Sequence, residues 1–139
     1  MDRGMSRIVV GLGGSATNDG GIGMLQALGV RFFGSGRQLI DAPIAADALL
    51  DIVSLDLRDL DTRLEDVVFE VMCDVDTPLT GRGGASVRFG PQKGATASQV
   101  EHLERGIASF YKITQDLKGI DVTGVPRTCL LYTSDAADE

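Results

Sequence analysis

The sequence predicts an α/β layer fold, on three observations. Two β-branched runs, at residues 7–12 and 67–74, read as strands. A glycine-rich stretch follows each of them, and each stretch leads into residues with helical spacing. The order strand, loop, helix, strand, then strand, loop, helix is that of Rossmann-like units, whose loops gather at strand ends.

The elements follow in order. Residues 7–12 run into glycine at Gly11 and predict a buried strand. Residues 11–23 form a glycine-rich turn that opens a helix, with Asn18 or Asp19 as the expected N-cap. That helix should stop at Gly29, a good C-terminal breaker. Residues 30–33 predict the next strand. Gly34, Ser35 and Gly36 are turn chemistry, so 37–40 should return as a hairpin. Pro43 suits the first turn of a short helix reaching Ile52, and 53–57 predict another strand. Residues 67–74 predict a central strand. Residues 76–94 contain two prolines and five glycines without periodicity and read as one long loop. Thr96, Ala97, Ser98 and Gln99 form a capping-box pattern. Val100, Leu103, Ile107, Phe110, Ile113 and Leu117 then keep helical spacing to about Lys118.

Composition narrows the function classes. The chain has 139 residues, 43% of them hydrophobic and 24% charged, an ordinary globular balance. A net charge of −7 argues against nucleic-acid binding. No apolar run approaches the roughly 20 residues of a membrane span, and no signal peptide is visible. Two cysteines, Cys73 and Cys129, are too few for a disulfide scaffold or a zinc cage. The 18 glycines cluster at 11–23 and 81–94, where backbone can approach a ligand.

Both ends depart from this pattern. Residues 129–139 fit neither the preceding helix nor a new element, and they read as a translated sequencing-library adapter fused at Thr128. Setting them aside removes three of the 20 acids and none of the 13 bases, leaving a charge of −4. Residues 1–128 then read as an incomplete central portion of a longer protein, and a Cys73–Cys129 disulfide is not expected.

Two loops carry the chemistry. In the first, the backbone of Gly13, Gly14 and Ser15 can turn N–H groups into a concavity, and Thr17 and Asn18 add a hydroxyl and an amide. Anion binding at the following helix and a tight structural turn both satisfy this stretch. Gly11-x-Gly13-x-x-Ala16 also matches a loose dinucleotide fingerprint, but no well-placed acid follows the next strand, and the P-loop pattern fails. In the second loop, Asp74 stands at a strand's C-terminal end, where α/β folds place ligands. A carboxylate there can hold Mg²⁺ or orient a hydroxyl. Lys93, between glycines and just before a helix, can lie along a phosphate or remain a solvated surface charge. The bland reading of Asp76 is a helix cap or turn acid. His102 is expected on the solvated side of its helix, without a ligand role, and Cys73 as a small buried hydrophobe.

Together, residues 8–29 (IVVGLGGSATNDGGIGMLQALG) and 73–95 (CDVDTPLTGRGGASVRFGPQKGA) resemble the bacterial glycerate kinases. The resemblance runs from about Asp2 to Pro126. It implies a fragment of a two-domain α/β fold with the active site in the cleft between domains. It implies an ATP-dependent, Mg²⁺-assisted, cytoplasmic kinase of D-glycerate. Members commonly form 2-phosphoglycerate and serve glyoxylate, glucarate and galactarate breakdown. The resemblance assigns the motifs; from the chemistry of their residues, Gly13, Gly14, Ser15, Thr17, Asn18 and Asp19 are the candidates for substrate or phosphate, Asp74 and Lys93 for catalysis, and Asp74 and Asp19 for the metal. Neither loop is assigned to ATP or to glycerate, and no oligomeric state is read. Thr77 stands where many members carry Asn; it keeps a hydroxyl but lacks the amide. The family's later Gly/Ala-rich segment and its early motifs have no counterpart in the sequence, so the chain itself is expected to be inactive. The competing expectations are a nonenzymatic truncated product, aggregation-prone through exposed sheet edges, and a dinucleotide-binding module.

Overall fold

A computed structural model describes residues 4–11, 17–72 and 76–118. Strand β1 (Arg7–Gly11) pairs in parallel with β4 (Val68–Met72), with Arg7 opposite Val68 and Gly11 opposite Met72. Strand β2 (Arg31–Phe33) pairs antiparallel with β3 (Ser54–Asp56). Helix α1 (Ile22–Ala27) lies between β1 and β2 in sequence, and helices α2 (Ala85–Phe89) and α3 (Ala97–Lys118) follow β4. Short 3₁₀ turns occupy Ala46–Asp51, Thr62–Asp66 and Pro91–Lys93. The mixed helix and strand order is the α/β class that the sequence predicts.

The core forms where α3 lies over the β2–β3 side. Phe32 is fully buried, and its ring meets that of Phe110 edge-on at 5.9 Å. Leu49, Ile52 and Ile107 complete the centre. This edge-to-face geometry places the ring edge of one aromatic against the face of the other. Two glycines make the packing possible. Gly29 has φ +102, and a Cβ there would lie 2.0 Å from the Asp59 carbonyl oxygen, so the α1 breaker is fixed by both conformation and space. Gly106 lets α3 settle onto the Ala46–Asp51 turn, since a Cβ there would come within 2.8 Å of Leu49 Cβ.

Several local expectations match. Gly34 N–H donates to the Gln38 carbonyl and Leu39 bridges Phe33, closing the hairpin. Thr96 and Gln99 form a reciprocal capping box. Gln99 N donates to Thr96 Oγ1 at 3.3 Å, and Thr96 N donates to Gln99 Oε1 at 2.8 Å.

Others are corrected. β1 is not buried, because among the described residues its only neighbour is β4 and Val9 remains 50% exposed. For the same reason β4 is not central in the described chain, and Val68, Phe69 and Met72 are exposed. The cap of α1 is Gly21, not Asn18 or Asp19. Asp19 acts two residues earlier, where its Oδ1 accepts the Gly21 N–H at 3.0 Å. Gly20 and Gly21, at φ +68 and +72, delay the helix start. The region 76–94 is no open loop. It contains α2 and the Pro91–Lys93 turn, both shorter than the two turns a periodic signal needs. The helix expected from Pro43 is a 3₁₀ turn that begins at Ala46.

Candidate functional site

The end of the first glycine loop meets the end of the second at an open cavity of about 650 Å³. Thr17 and Asn18 form one wall, and Gly90, Lys93, Gly94 and Ala95 form another. The Ala45–Asp47 segment and the outer face of α3 close the remainder. Long-range hydrogen bonds hold these walls together.

Lys93 Nζ donates to the Thr17 carbonyl oxygen at 3.0 Å, joining the two loops across 76 residues. Gly94, at φ +88, ends the Pro91–Lys93 turn and allows the chain to reverse into α3 just beyond this lysine. Asn18 is buried, and its Nδ2 donates to the fully buried Ser86 Oγ of α2 at 3.0 Å. A buried amide without that acceptor would lose its water contacts uncompensated. Asn18 is therefore a tie between loops as well as a wall of the cavity.

Thr77 is fully buried and accepts from Arg88 Nη1 at 3.0 Å. Arg88 also lies over the Phe89 ring, 5.4 Å from its centroid. The hydroxyl in place of the expected amide is thus satisfied. Gly81 N–H donates to the Glu104 carboxylate, fixing the turn before α2 against α3.

Of the sequence-derived candidates, Thr17, Asn18 and Lys93 converge on the cavity. Asp19 lies next to them, with one oxygen on Gly21 N. Gly13, Gly14, Ser15 and Asp74 lie outside the described residues, as do Cys73 and the segment 129–139. Among the described residues, no group of three or more His, Cys, Asp or Glu side chains could hold a metal ion. No helix of the described residues is long and apolar enough to cross a membrane.

The sequence reading missed two contributors. His102 is solvent-exposed, as expected, yet it lines the cavity and its Nε2 lies 3.1 Å from the Asp47 carbonyl oxygen. Gln26 straps the segment leading into the Ala45–Asp47 wall to α1. Its Nε2 donates to the Ala42 carbonyl at 3.0 Å, and its Oε1 accepts the Ile44 N–H at 3.2 Å. A lone histidine on a polar helix face carries no sequence signal for such a contact, and neither does a glutamine inside a six-residue helix.

Comparison with known proteins fits this geometry. The sequence model of the glycerate kinase family matches residues 1–129. Glycerate kinase of Bacillus subtilis (strain 168) is 45% identical over 119 residues, which span 86% of this chain and 31% of the relative. Glycerate 2-kinase of Escherichia coli (strain K12) is 39% identical over 126 residues, 91% of this chain and 32% of the relative. A crystal structure assigned as glycerate kinase 2 from Salmonella typhimurium LT2 superposes with a TM-score of 0.83 at 42% identity, covering 90% of this chain and 33% of that one. The chain thus spans about a third of the length of these relatives. A match across both glycine loops, the strands that lead to them and the helices that follow leaves one assignment: the chain belongs to the glycerate kinase family.

Proposed function

We propose that the protein to which this chain corresponds phosphorylates D-glycerate with ATP, assisted by Mg²⁺, to give 2-phosphoglycerate in the cytoplasm. The observation that carries the reading is the Lys93 Nζ–Thr17 contact, which brings the two family motifs to one cavity. Phosphoryl transfer needs positioning and charge neutralisation above all. A lysine ammonium at the meeting point of two loops supplies a fixed positive charge for a phosphate or carboxylate. The kinase name borne by the relatives, including a glycerate 2-kinase, supports the substrate and the position phosphorylated.

The described residues build no cage for a resident metal. Mg²⁺ keeps several waters and binds through one or two carboxylates plus substrate phosphates. Asp19 is the described carboxylate we assign to it, and Asp74 the second. When bound, the ion would supply charge neutralisation at the transferred phosphoryl group. Asp74 is also our assignment for the base that orients the attacking hydroxyl, and Gly13, Gly14 and Ser15 for the amides that hold an anion. The chain on its own is proposed to be inactive, since it carries a third of its relatives' length and leaves the β1–β4 faces exposed. The test is D-glycerate-dependent ATP consumption by a full-length protein carrying these residues, with the phosphorylated position read by ³¹P and ¹H NMR. ATP consumption that requires D-glycerate and yields the 2-phosphate is expected. No consumption with D-glycerate would overturn the assigned reaction.

A further inference from the structure

Of the three acids on α3, one is turned inward. Glu101 and Asp116 are exposed, whereas Glu104 is half-buried. One of its oxygens, Oε1, accepts the Gly81 N–H, 23 residues away. The other, Oε2, is shut off from solvent and finds no hydrogen-bond donor among the described residues. A buried acceptor left unpaired works against folding. Stability therefore does not account for this carboxylate, and its use lies in what Oε1 holds.

Oε1 holds the entry to α2. With five residues, α2 has little more than one turn, too little to keep its place unaided. Its C-terminal end is anchored by Phe89 in the core. Its N-terminal end begins at Gly84, which offers no side-chain cap. The turn before it is closed by the Gly84 N–H on the Gly81 carbonyl at 2.9 Å. Glu104 grips that same Gly81, so α3 fixes where α2 begins. Two residues past Gly84, Ser86 Oγ accepts from Asn18 Nδ2 at 3.0 Å. The contacts thus run from α3 through Gly81 and Ser86 to a wall of the cavity.

We infer that Glu104 is a positioning residue, which sets the place of α2 and, through Ser86, that of Asn18, at some cost in stability. A hydrogen bond to a carboxylate is shorter and stronger than one to a neutral acceptor, which suits a part that must be held to a fraction of an ångström. The inference rests on the reading of the cavity as the phosphoryl-transfer site. Function and stability should therefore separate at this residue.

The test compares Glu104→Leu with Glu104→Gln. Leucine removes the unpaired oxygen together with the grip on Gly81, and the exposed Gly81 can give its N–H to water. In the 139-residue chain its urea midpoint should be unchanged or raised. Asn18 is the sole asparagine, and its side-chain NH₂ signal in a ¹⁵N spectrum should move while the backbone amides of Phe32 and Phe110 stay. In a full-length protein carrying these residues, kcat should fall on the order of 10-fold, with KM for D-glycerate within about 2-fold. Glutamine keeps a neutral acceptor for Gly81, so the Asn18 signal should stay and kcat should remain within about 3-fold of the parent. If the core amides move in Glu104→Leu, the unbranched Glu104→Met takes its place with the same expectations. An unmoved Asn18 signal, an unaltered kcat, a midpoint that falls with kcat, or glutamine as damaging as leucine would overturn the inference. A parent that consumes no ATP with D-glycerate would overturn the assigned reaction, and the Asn18 signal would still decide the role of Glu104.

Discussion

Both strand pairs carry apolar residues, and those residues have opposite fates. β2 and β3 lie under α3, so Phe32 is fully buried. β1 and β4 are the more apolar pair, yet Val68 is 60% and Phe69 43% exposed. Apolar composition in a strand is thus a capacity for burial, and a covering helix realises it. The site stands between these regions. Its loops leave the ends of the uncovered pair, while its ties, Asn18 to Ser86 and Lys93 to Thr17, anchor them to the packed half.

The sharpest way to break this contrast is to truncate one aromatic on each side. Phe32→Ala should cost about 3–5 kcal/mol, through lost burial and a cavity. Phe69→Ala should cost less than about 1 kcal/mol, because much of its ring is already in water. Urea unfolding midpoints give both numbers, and equal losses would show that the two strand pairs are buried alike.

Gly29→Ala comes next. Its positive φ and the nearby Asp59 carbonyl should make the change cost about 2–3 kcal/mol or more by the same measurement. Ser86→Ala should cost about 1–3 kcal/mol, because Asn18 Nδ2 keeps its burial and loses its acceptor. Asn18→Ala combined with Ser86→Ala should cost less than the two single losses added, a coupling visible in a double-mutant cycle. Thr96→Ala should cost about 1 kcal/mol through the lost cap, read from the same midpoints.

The smallest effect is electrostatic and exposed. Hydrogen bonds from the Arg58 side chain, then from its backbone, hold the Asp56 carboxyl down at about 2. A depressed carboxylate stabilises the fold above its unfolded value of 3.8, and that contribution fades as pH falls from there towards about 2. Titration of the Asp56 side-chain carbon by NMR should give that low midpoint in the folded chain and a higher one in Arg58→Ala, which loses the side-chain hydrogen bonds and keeps the backbone one.

What the sequence revealed was local. The Thr96–Gln99 box and the Gly29 stop are decided by neighbours within a few residues, so their chemistry is visible in the string. α2 has only five residues, too few for a period to show. Phe69 and Phe32 look alike in sequence, because burial depends on which helix packs above them. Lys93 and Asn18 were legible as chemistry-bearing residues. Their partners, 76 and 68 residues away, follow only from the fold. His102 was read correctly as exposed, and its place in the cavity depends on the approach of Asp47 from 55 residues away.

The most direct test of the central claim, that the two motifs form one phosphoryl-transfer site, is the kinetics of Lys93→Met in a full-length protein carrying these residues. D-glycerate-dependent ATP consumption should fall about 100-fold in kcat, with the unfolding midpoint nearly unchanged. An unaltered kcat would contradict the account, because the charge at the junction of the loops would then take no part in the transfer.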